Sequence, residues 1–169
     1  MYVPKVFSDW FNDIFVVKHL NLRFYIYSLL YHLPMHTLRE LQVVINAAAR
    51  LVTLTPRNQS ASEALKKLHW LPVKSRIDFK ILSITYKALN NQAPSYICEL
   101  LVPYSSCRQL RSADKFQLRV PKRNLKYGER SFSSATPKLW NDLPTVIKHA
   151  QSYQCFKKML KTHLFQKAF

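Results

Sequence analysis

The side chains that could do chemistry in this chain are mainly cationic. One group recurs about once per helical turn within Leu68–Leu89, and it consists of Arg76, Lys80 and Lys87, with Ser83 between them. Residues with this spacing lie along one edge of a helix. Guanidinium and ammonium groups on such an edge can contact the phosphates of a nucleic acid. The spacing therefore predicts a cationic ridge on a central helix.

A second cationic group lies between residues 103 and 138, where only Asp114 and Glu129 carry negative charge. Interleaved aromatic residues are typical of surfaces that contact phosphates and stack bases. We predict a basic arm that binds nucleic acid; a flexible basic loop whose aromatic residues pack back onto the core fits the composition equally well. The candidate contacts are Arg108, Arg111, Lys115, Arg119, Lys122, Arg123, Lys126 and Arg130, and the candidate stacking residues are Tyr104, Phe116, Tyr127 and Phe132.

The residue types that catalysis requires do not cluster in the sequence. The chain has no Asp-Asp pair, and metal-dependent nucleotide transfer needs clustered carboxylates to hold two cations. Its single glycine, Gly128, excludes phosphate-cradling and dinucleotide-binding loops, which need several glycines close together. The three cysteines form no CxxC pair, and the histidines are scattered. We predict no catalytic residue, no metal site and no cofactor.

Asp78 could be mistaken for a catalytic carboxylate. It lies on the predicted central helix between two apolar flanks, so burial is expected. Buried carboxylates are usually paired with a cation. We predict a structural salt bridge, for instance with a nearby arginine.

The charge balance indicates an anionic partner. The 169 residues include 26 Lys and Arg against 9 Asp and Glu, which gives a formal net charge of +17. Nucleic acid is the default partner for such a chain, and an anionic membrane is the second. No signal peptide is evident, and charges interrupt the apolar run from Ile14 to Leu33 before it reaches the roughly 20 residues of a membrane span. We expect an intracellular protein, nuclear or cytoplasmic, without a membrane span.

Hydrophobic periodicity predicts a mostly α-helical, bundle-like domain with a proline corner at Pro72 and an irregular basic arm that could contain a short β-ribbon around Leu118. One helix is predicted over Met35–Leu54, and another begins at Ala61 behind a capping box. The central helix follows the corner. A last amphipathic helix, capped near Ser152, could pack on its own domain or dock to a protein or membrane.

Seven stretches, in the same order, resemble the reverse transcriptases of non-LTR retrotransposons of the LINE, jockey-like type, in the region after the catalytic palm. The family usually shows Asp-Tyr-Cys-Asn where this chain has Phe24-Tyr25-Ile26-Tyr27. The matching stretches are YSLLYHLP (Tyr27–Pro34), INAAARLV (Ile45–Val52), LHWLPVKSRIDFKIL (Leu68–Leu82), YKALNNQAPSYI (Tyr86–Ile97), LLVPYSSCRQLRSAD (Leu100–Asp114), LWNDLP (Leu139–Pro144) and FKKMLKTHLF (Phe156–Phe165).

The resemblance implies a fragment without the polymerase's chemistry, because in that family the catalytic carboxylates lie upstream on the palm. It implies that the chain corresponds to the thumb and C-terminal connector, which hold template RNA and primer against a palm supplied in cis by the full-length relative. The implied organisation is an unmatched lead-in (1–23), a helical thumb-like region (24–102), the basic arm (103–138) and a C-terminal helical segment packing on the same domain (139–169).

Three functions remain open at this point. The first is a noncatalytic fragment of an RNA-directed DNA polymerase that binds RNA or an RNA/DNA primer-template duplex. The second is a host-recruited protein-interaction module that uses the last helix. The third is a translated transposon remnant without a selected function, whose faces prepared for the missing palm would lie exposed.

Overall fold

Helices dominate the chain in the computed structural model, which describes residues 30–31, 33–105, 116–129 and 131–169. The mostly α-helical, bundle-like fold is therefore confirmed. The helices are α1 (Met35–Thr53), α2 (Ala61–Lys67), α3 (Val73–Leu89), α4 (Ser95–Cys98), α5 (Lys126–Glu129), α6 (Phe132–Asn141), α7 (Thr145–Lys148) and α8 (Tyr153–Ala168). The lead-in 1–23 lies outside the described residues.

Helix boundaries follow local capping chemistry. Helix α2 begins at Ala61 as predicted, and the Ser60 hydroxyl accepts a hydrogen bond from the Ser62 amide at 3.3 Å. The predicted return bond from Glu63 is not formed, and that side chain is exposed to solvent instead. After α2, His69 adopts a left-handed φ of 51°, and Pro72 immediately precedes α3. Together these two residues make the predicted corner.

Helix α3 is the central element, since it contacts α1, α4, α6 and α8. Of its residues only Lys74 is exposed. Both predicted apolar flanks are covered, with Ile77 and Ile81 buried on one and Leu82 and Tyr86 on the other. A helix enclosed on most sides owes its stability to tertiary packing more than to its own propensity.

An aromatic cluster joins three helices in the core. The Phe156 ring of α8 stacks on Tyr86 of α3 at a centroid distance of 4.3 Å and on Trp140 of α6 at 6.0 Å. The Tyr86 hydroxyl donates to the Ala150 carbonyl at 2.7 Å, so its polar end is satisfied. Such rings bury large apolar areas, which makes this cluster a main source of stability.

The last helix packs on its own domain. Phe156, Leu160 and Leu164 of α8 are buried against α3, and the Ser152 hydroxyl caps the helix by accepting from the Cys155 amide. The apolar face of α8 is thus unavailable to a partner. A charge placed at Leu160 would disrupt the core, so a loss of binding in such a variant would not be evidence that α8 docks to a partner.

The segment after residue 115 is more ordered than its composition predicts. Residues 132–141 form α6, although Pro137 lies inside it. A proline inside a helix costs about 3 kcal/mol. Burial of Phe132, Ala135 and Trp140 on the rest of the domain offsets that cost. In the described residues, the predicted β-ribbon is reduced to a single antiparallel bridge between Pro103 and Leu118.

Candidate nucleic-acid interface

The described part of the basic arm is fixed by the C-terminal end of α6. The side-chain amide of Asn141 accepts from the Leu118 N–H at 2.9 Å and donates to the Leu118 carbonyl at 2.9 Å. The indole N–H of Trp140 donates to the Phe116 carbonyl at 2.8 Å. An amide side chain can replace a neighbouring strand in this way because it carries both a donor and an acceptor. One edge of residues 116–118 is therefore occupied by side chains of α6.

The opposite edge of the same segment pairs with the chain near Pro103. The Tyr104 amide donates to the Gln117 carbonyl, and the Arg119 amide donates to the Val102 carbonyl, both at 2.9 Å. With Leu118 buried at 3% exposure, residues 116–119 are held from both edges and from below. The backbone at Arg119 is therefore fixed by these contacts and does not belong to a free loop.

Three predicted contact residues lie at the end of this fixed segment or directly after it. Arg119, Lys122 and Arg123 are exposed within five consecutive positions. The Arg123 guanidinium donates to the Ser133 hydroxyl at 3.3 Å, which ties it to α6. We name residues 119–123 the basic edge. Its three cations are solvent-accessible, and the hydroxyl that holds Arg123 is neutral, so their charge is available to an anion.

The aromatic residues of the arm divide between the two interpretations. Phe132 is buried in the core, as the loop interpretation expected of the whole set. Tyr104 and Phe116 remain exposed, and the Phe116 ring meets His149 edge-on at 4.7 Å. Two exposed rings at the ends of the bridged segment are suitable platforms for base stacking. The side chain of Tyr127 lies outside the described residues.

The predicted ridge on α3 is not an open cationic edge. Ser83 is buried, and Arg76, Lys80 and Lys87 are only partly exposed. The Arg76 guanidinium donates to the Leu71 carbonyl at 2.7 Å and lies over the Trp70 ring at 5.5 Å. Packing by neighbouring elements covers the ridge, which periodicity within one helix could not reveal. Arg76 therefore serves the corner.

Lys87 belongs to a different arrangement, in which two lysines share one aromatic ring. The ammonium groups of Lys87 and Lys157 lie 4.6 and 5.3 Å from the centroid of Tyr153. Burial raises the pKa of Tyr153, although a hydrogen bond with Ser83 lowers it in part, so the phenol stays neutral. The two cations are thus attracted by the ring's quadrupole, and no carboxylate of a described residue lies within ion-pair distance of them.

The remaining predicted contacts cannot be placed. Arg108, Arg111, Lys115 and Arg130 lie outside the described residues, and for Lys126 the backbone lies in α5 while its side chain is not described. Among residues that are described, eleven exposed Lys and Arg face four exposed Asp and Glu. The described surface is therefore strongly positive, consistent with the formal charge of the whole chain.

Asp78 does not form the predicted salt bridge. Its Oδ1 is enclosed without a hydrogen-bond partner, and no cation lies within ion-pair distance of it in the described structure. Burial raises its pKa to about 6, and attraction to Lys74 and Lys167 offsets only part of this shift. The nearest arginine on α3, Arg76, is instead directed to Leu71 and Trp70.

Nothing in the described ranges assembles three His, Cys, Asp or Glu side chains that could hold a metal ion. None of the described helices combines the length and the apolar run that crossing a membrane requires. No family model matches the chain, and neither a curated protein nor a solved structure matches it.

Asn141 and Trp140 hold the segment that carries the basic edge, and the sequence did not single them out. Both lie in LWNDLP, a stretch that contributes to the family resemblance without a role for either residue. The pattern that could have indicated their role is an amide side chain next to a large aromatic residue, at a helix end before a proline. Free backbone groups near such a helix end need hydrogen-bond partners.

Proposed function

We propose that this chain is a noncatalytic nucleic-acid-binding module that corresponds to the post-palm region of a non-LTR retrotransposon reverse transcriptase and binds RNA or an RNA/DNA duplex. The observation that carries the proposal is the basic edge, with three accessible cations at 119–123 mounted on a segment that both edges hold in place. Support also comes from the seven stretches that resemble that family.

The arrangement suits a phosphate backbone better than a small anion. The three cations lie within five consecutive residues outside any helix, and several closely spaced charges match the successive phosphates of a strand. Exposed Tyr104 and Phe116 flank the same segment and offer stacking surfaces. None of the three residues of the basic edge lies on a helix that could enter a groove, so we expect little sequence preference and recognition through backbone and shape.

The salt dependence of binding tests this proposal. Fluorescence anisotropy with a labelled RNA/DNA duplex would give the dissociation constant over a salt series for the full chain and for the variant Arg119→Gln/Lys122→Gln/Arg123→Gln. Each lost phosphate contact lowers the slope of log K against log salt by about 0.7–0.9. We expect the triple variant to lose about 2–3 units of slope if all three residues contact phosphates.

A matched control removes three exposed charges elsewhere, by Lys67→Gln/Lys158→Gln/Lys161→Gln. The proposal predicts a clearly smaller loss of slope for this variant. Equal losses in both variants would mean binding by net charge without a site. Absence of binding at low salt would reject a nucleic-acid function for the chain.

A further inference from the structure

Helix α1 carries a second apolar stripe on the side that faces away from the core. Leu38, Ile45 and Ala49 are buried on its inner face. On the outer face Val43, Ala47, Leu51 and Leu54 follow one another at one-turn intervals, and all are exposed. Leu51 and Leu54 are 78% and 85% exposed. We name these four residues the outer stripe.

The outer stripe forms one wall of a shallow groove. The groove has a volume of about 390 Å³ and is bordered at its far end by Thr55 and Arg57. Its lining is mostly apolar, which distinguishes it from the cationic surface elsewhere. Several large apolar side chains that share one face of a helix are typical of a binding surface, whereas isolated exposed ones are not.

The backbone at Leu54 adds a second observation. This residue ends α1 in the left-handed conformation, with φ 53°, and the Thr55 amide closes the turn on the Arg50 carbonyl at 3.0 Å. Glycine is the residue that favours this position, because the left-handed conformation costs an L residue about 1–2 kcal/mol. The leucine side chain makes up none of that cost by burial, since it is exposed. Its placement serves no purpose in this chain's own core.

The charges around the stripe indicate which partner fits. Arg50 and Arg57 line the groove, exposed Arg39 lies one turn before Val43 on the same face, and Glu40 is the acidic residue on that face. The Arg50 guanidinium donates to the Gln59 carbonyl at 3.2 Å, so it is held beside the groove. A second copy of this chain would bring another +17 charge to the contact. A partner with acidic flanks is complementary instead.

We propose that the outer stripe of α1 binds an amphipathic helix of another protein, with an apolar face against Val43, Ala47, Leu51 and Leu54 and acidic residues opposite Arg39, Arg50 and Arg57. A helix laid along α1 would place its own apolar residues at the same one-turn spacing, as in other helix-in-groove complexes. This surface is separate from the basic edge and does not depend on the proposed nucleic-acid function.

A designed peptide probes the surface directly. It is a labelled helix of leucine, alanine and glutamate with leucines on one face, and its counterpart has lysine in place of every glutamate. We expect the full chain to bind the glutamate peptide and to bind the lysine peptide at least tenfold more weakly. Leu51→Asp should weaken binding of the glutamate peptide at least tenfold, because it places a negative charge within the outer stripe.

Val146→Asp is the matched control, since Val146 is 72% exposed on α7 and the substitution makes the same change in charge. The proposal requires Val146→Asp to leave peptide binding within about twofold of the original, with both variants folded by circular dichroism. Equal weakening by both variants, equal binding of both peptides, or no binding of the glutamate peptide would overturn it.

Two further measurements distinguish helix docking from self-association and from duplex binding. Sedimentation of the full chain should show a monomer; a dimer that Leu51→Asp dissociates would assign the outer stripe to self-association and reject the acidic helix. Affinity for the RNA/DNA duplex should be the same for Leu51→Asp and Val146→Asp. Failure of duplex binding alone therefore counts against the proposed function and leaves the docking surface standing.

Discussion

At the scale of single residues, Asp78 is the group whose environment conflicts most with its chemistry. Its Oδ1 is buried without a donor on the central helix, and burial raises its pKa to about 6 from an ordinary value of 3.8. The folded chain therefore binds this proton more tightly than the unfolded chain does. The contribution of Asp78 to stability is most favourable below the unfolded pKa and is lost as the pH rises through the folded pKa.

The variant Asp78→Asn should reveal this linkage, because it removes the charge and keeps the shape. We expect the free energy of unfolding of the variant, relative to the original chain, to rise by on the order of 1–2 kcal/mol between about pH 4 and about pH 7.5. Urea unfolding at several pH values measures it. Glu99→Gln, at an exposed site, should show no comparable trend. A difference that does not change with pH would mean that Asp78 is solvated in the folded chain.

At the scale of elements, the attachment of the arm to α6 depends on one amide. Asn141 satisfies both backbone groups of the buried Leu118, and Trp140 satisfies the Phe116 carbonyl. An unpaired buried backbone group costs about 1–3 kcal/mol, so the extended segment cannot stay in place without these partners. The position of the basic edge is therefore a property of α6 as much as of the arm.

The variant Asn141→Ala should release the segment without changing the net charge. We expect the Leu118 amide to lose its protection against hydrogen exchange. We also expect the free energy of global unfolding to fall by about 1–3 kcal/mol. Affinity for the duplex should also fall, since the segment that carries the basic edge is no longer held by α6. Asn58→Ala, at an exposed position in the loop before α2, is the control. A Leu118 amide that exchanges at the same rate in Asn141→Ala would show that the anchor does not hold the arm.

At the scale of the whole molecule, the aromatic cluster of Tyr86, Trp140 and Phe156 joins α3, α6 and α8. Elements that share one core unfold together, because no helix can leave without exposing the others. This is the property that a fragment with a poorly assembled core would lack, so it bears on whether the chain acts alone.

We expect thermal unfolding to be cooperative, with the same midpoint in far- and near-ultraviolet circular dichroism. Phe156→Ala should lower both midpoints together. It should lower the free energy of unfolding by about 3–5 kcal/mol, since the ring is fully buried and stacked on two others. Val146→Ala, at an exposed position, should leave them nearly unchanged. Separate midpoints for the two signals would mean that the described core does not form one cooperative unit.

Much of the local structure was predictable because it depends on neighbouring residues. Periodicity located α1 and the two flanks of α3, the Ser60 cap located the start of α2, and the Ser152 cap located the start of α8. Asn91 takes the left-handed conformation after α3, as asparagine often does at the end of a helix. Each of these signals acts within a few residues along the chain, where propensity and capping decide the outcome.

The same helical wheel that places Leu38 and Ile45 inside α1 also places Val43 and Leu51 outside. The spacing of the outer stripe is as regular as that of the buried face. An exposed apolar stripe becomes meaningful only when no neighbouring element covers it, and a wheel drawn for one helix cannot say which of two apolar faces turns inward. That choice was made by the packing of α1 on α2 and α3.

The sequence by itself determined the helical character, most helix boundaries, the proline corner and the positive charge, because these follow from local propensity and composition. Only the tertiary structure decided that Ser83 is buried and Arg76 engaged, that Asn141 holds Leu118, and that Asp78 has no ion pair with any described residue. Those outcomes depend on contacts between residues far apart in the chain, whose energies no periodicity records. Among the predicted contact residues whose side chains the structure describes, the exposed ones are Arg119, Lys122 and Arg123 of the basic edge, where backbone pairing with distant elements leaves these side chains facing solvent.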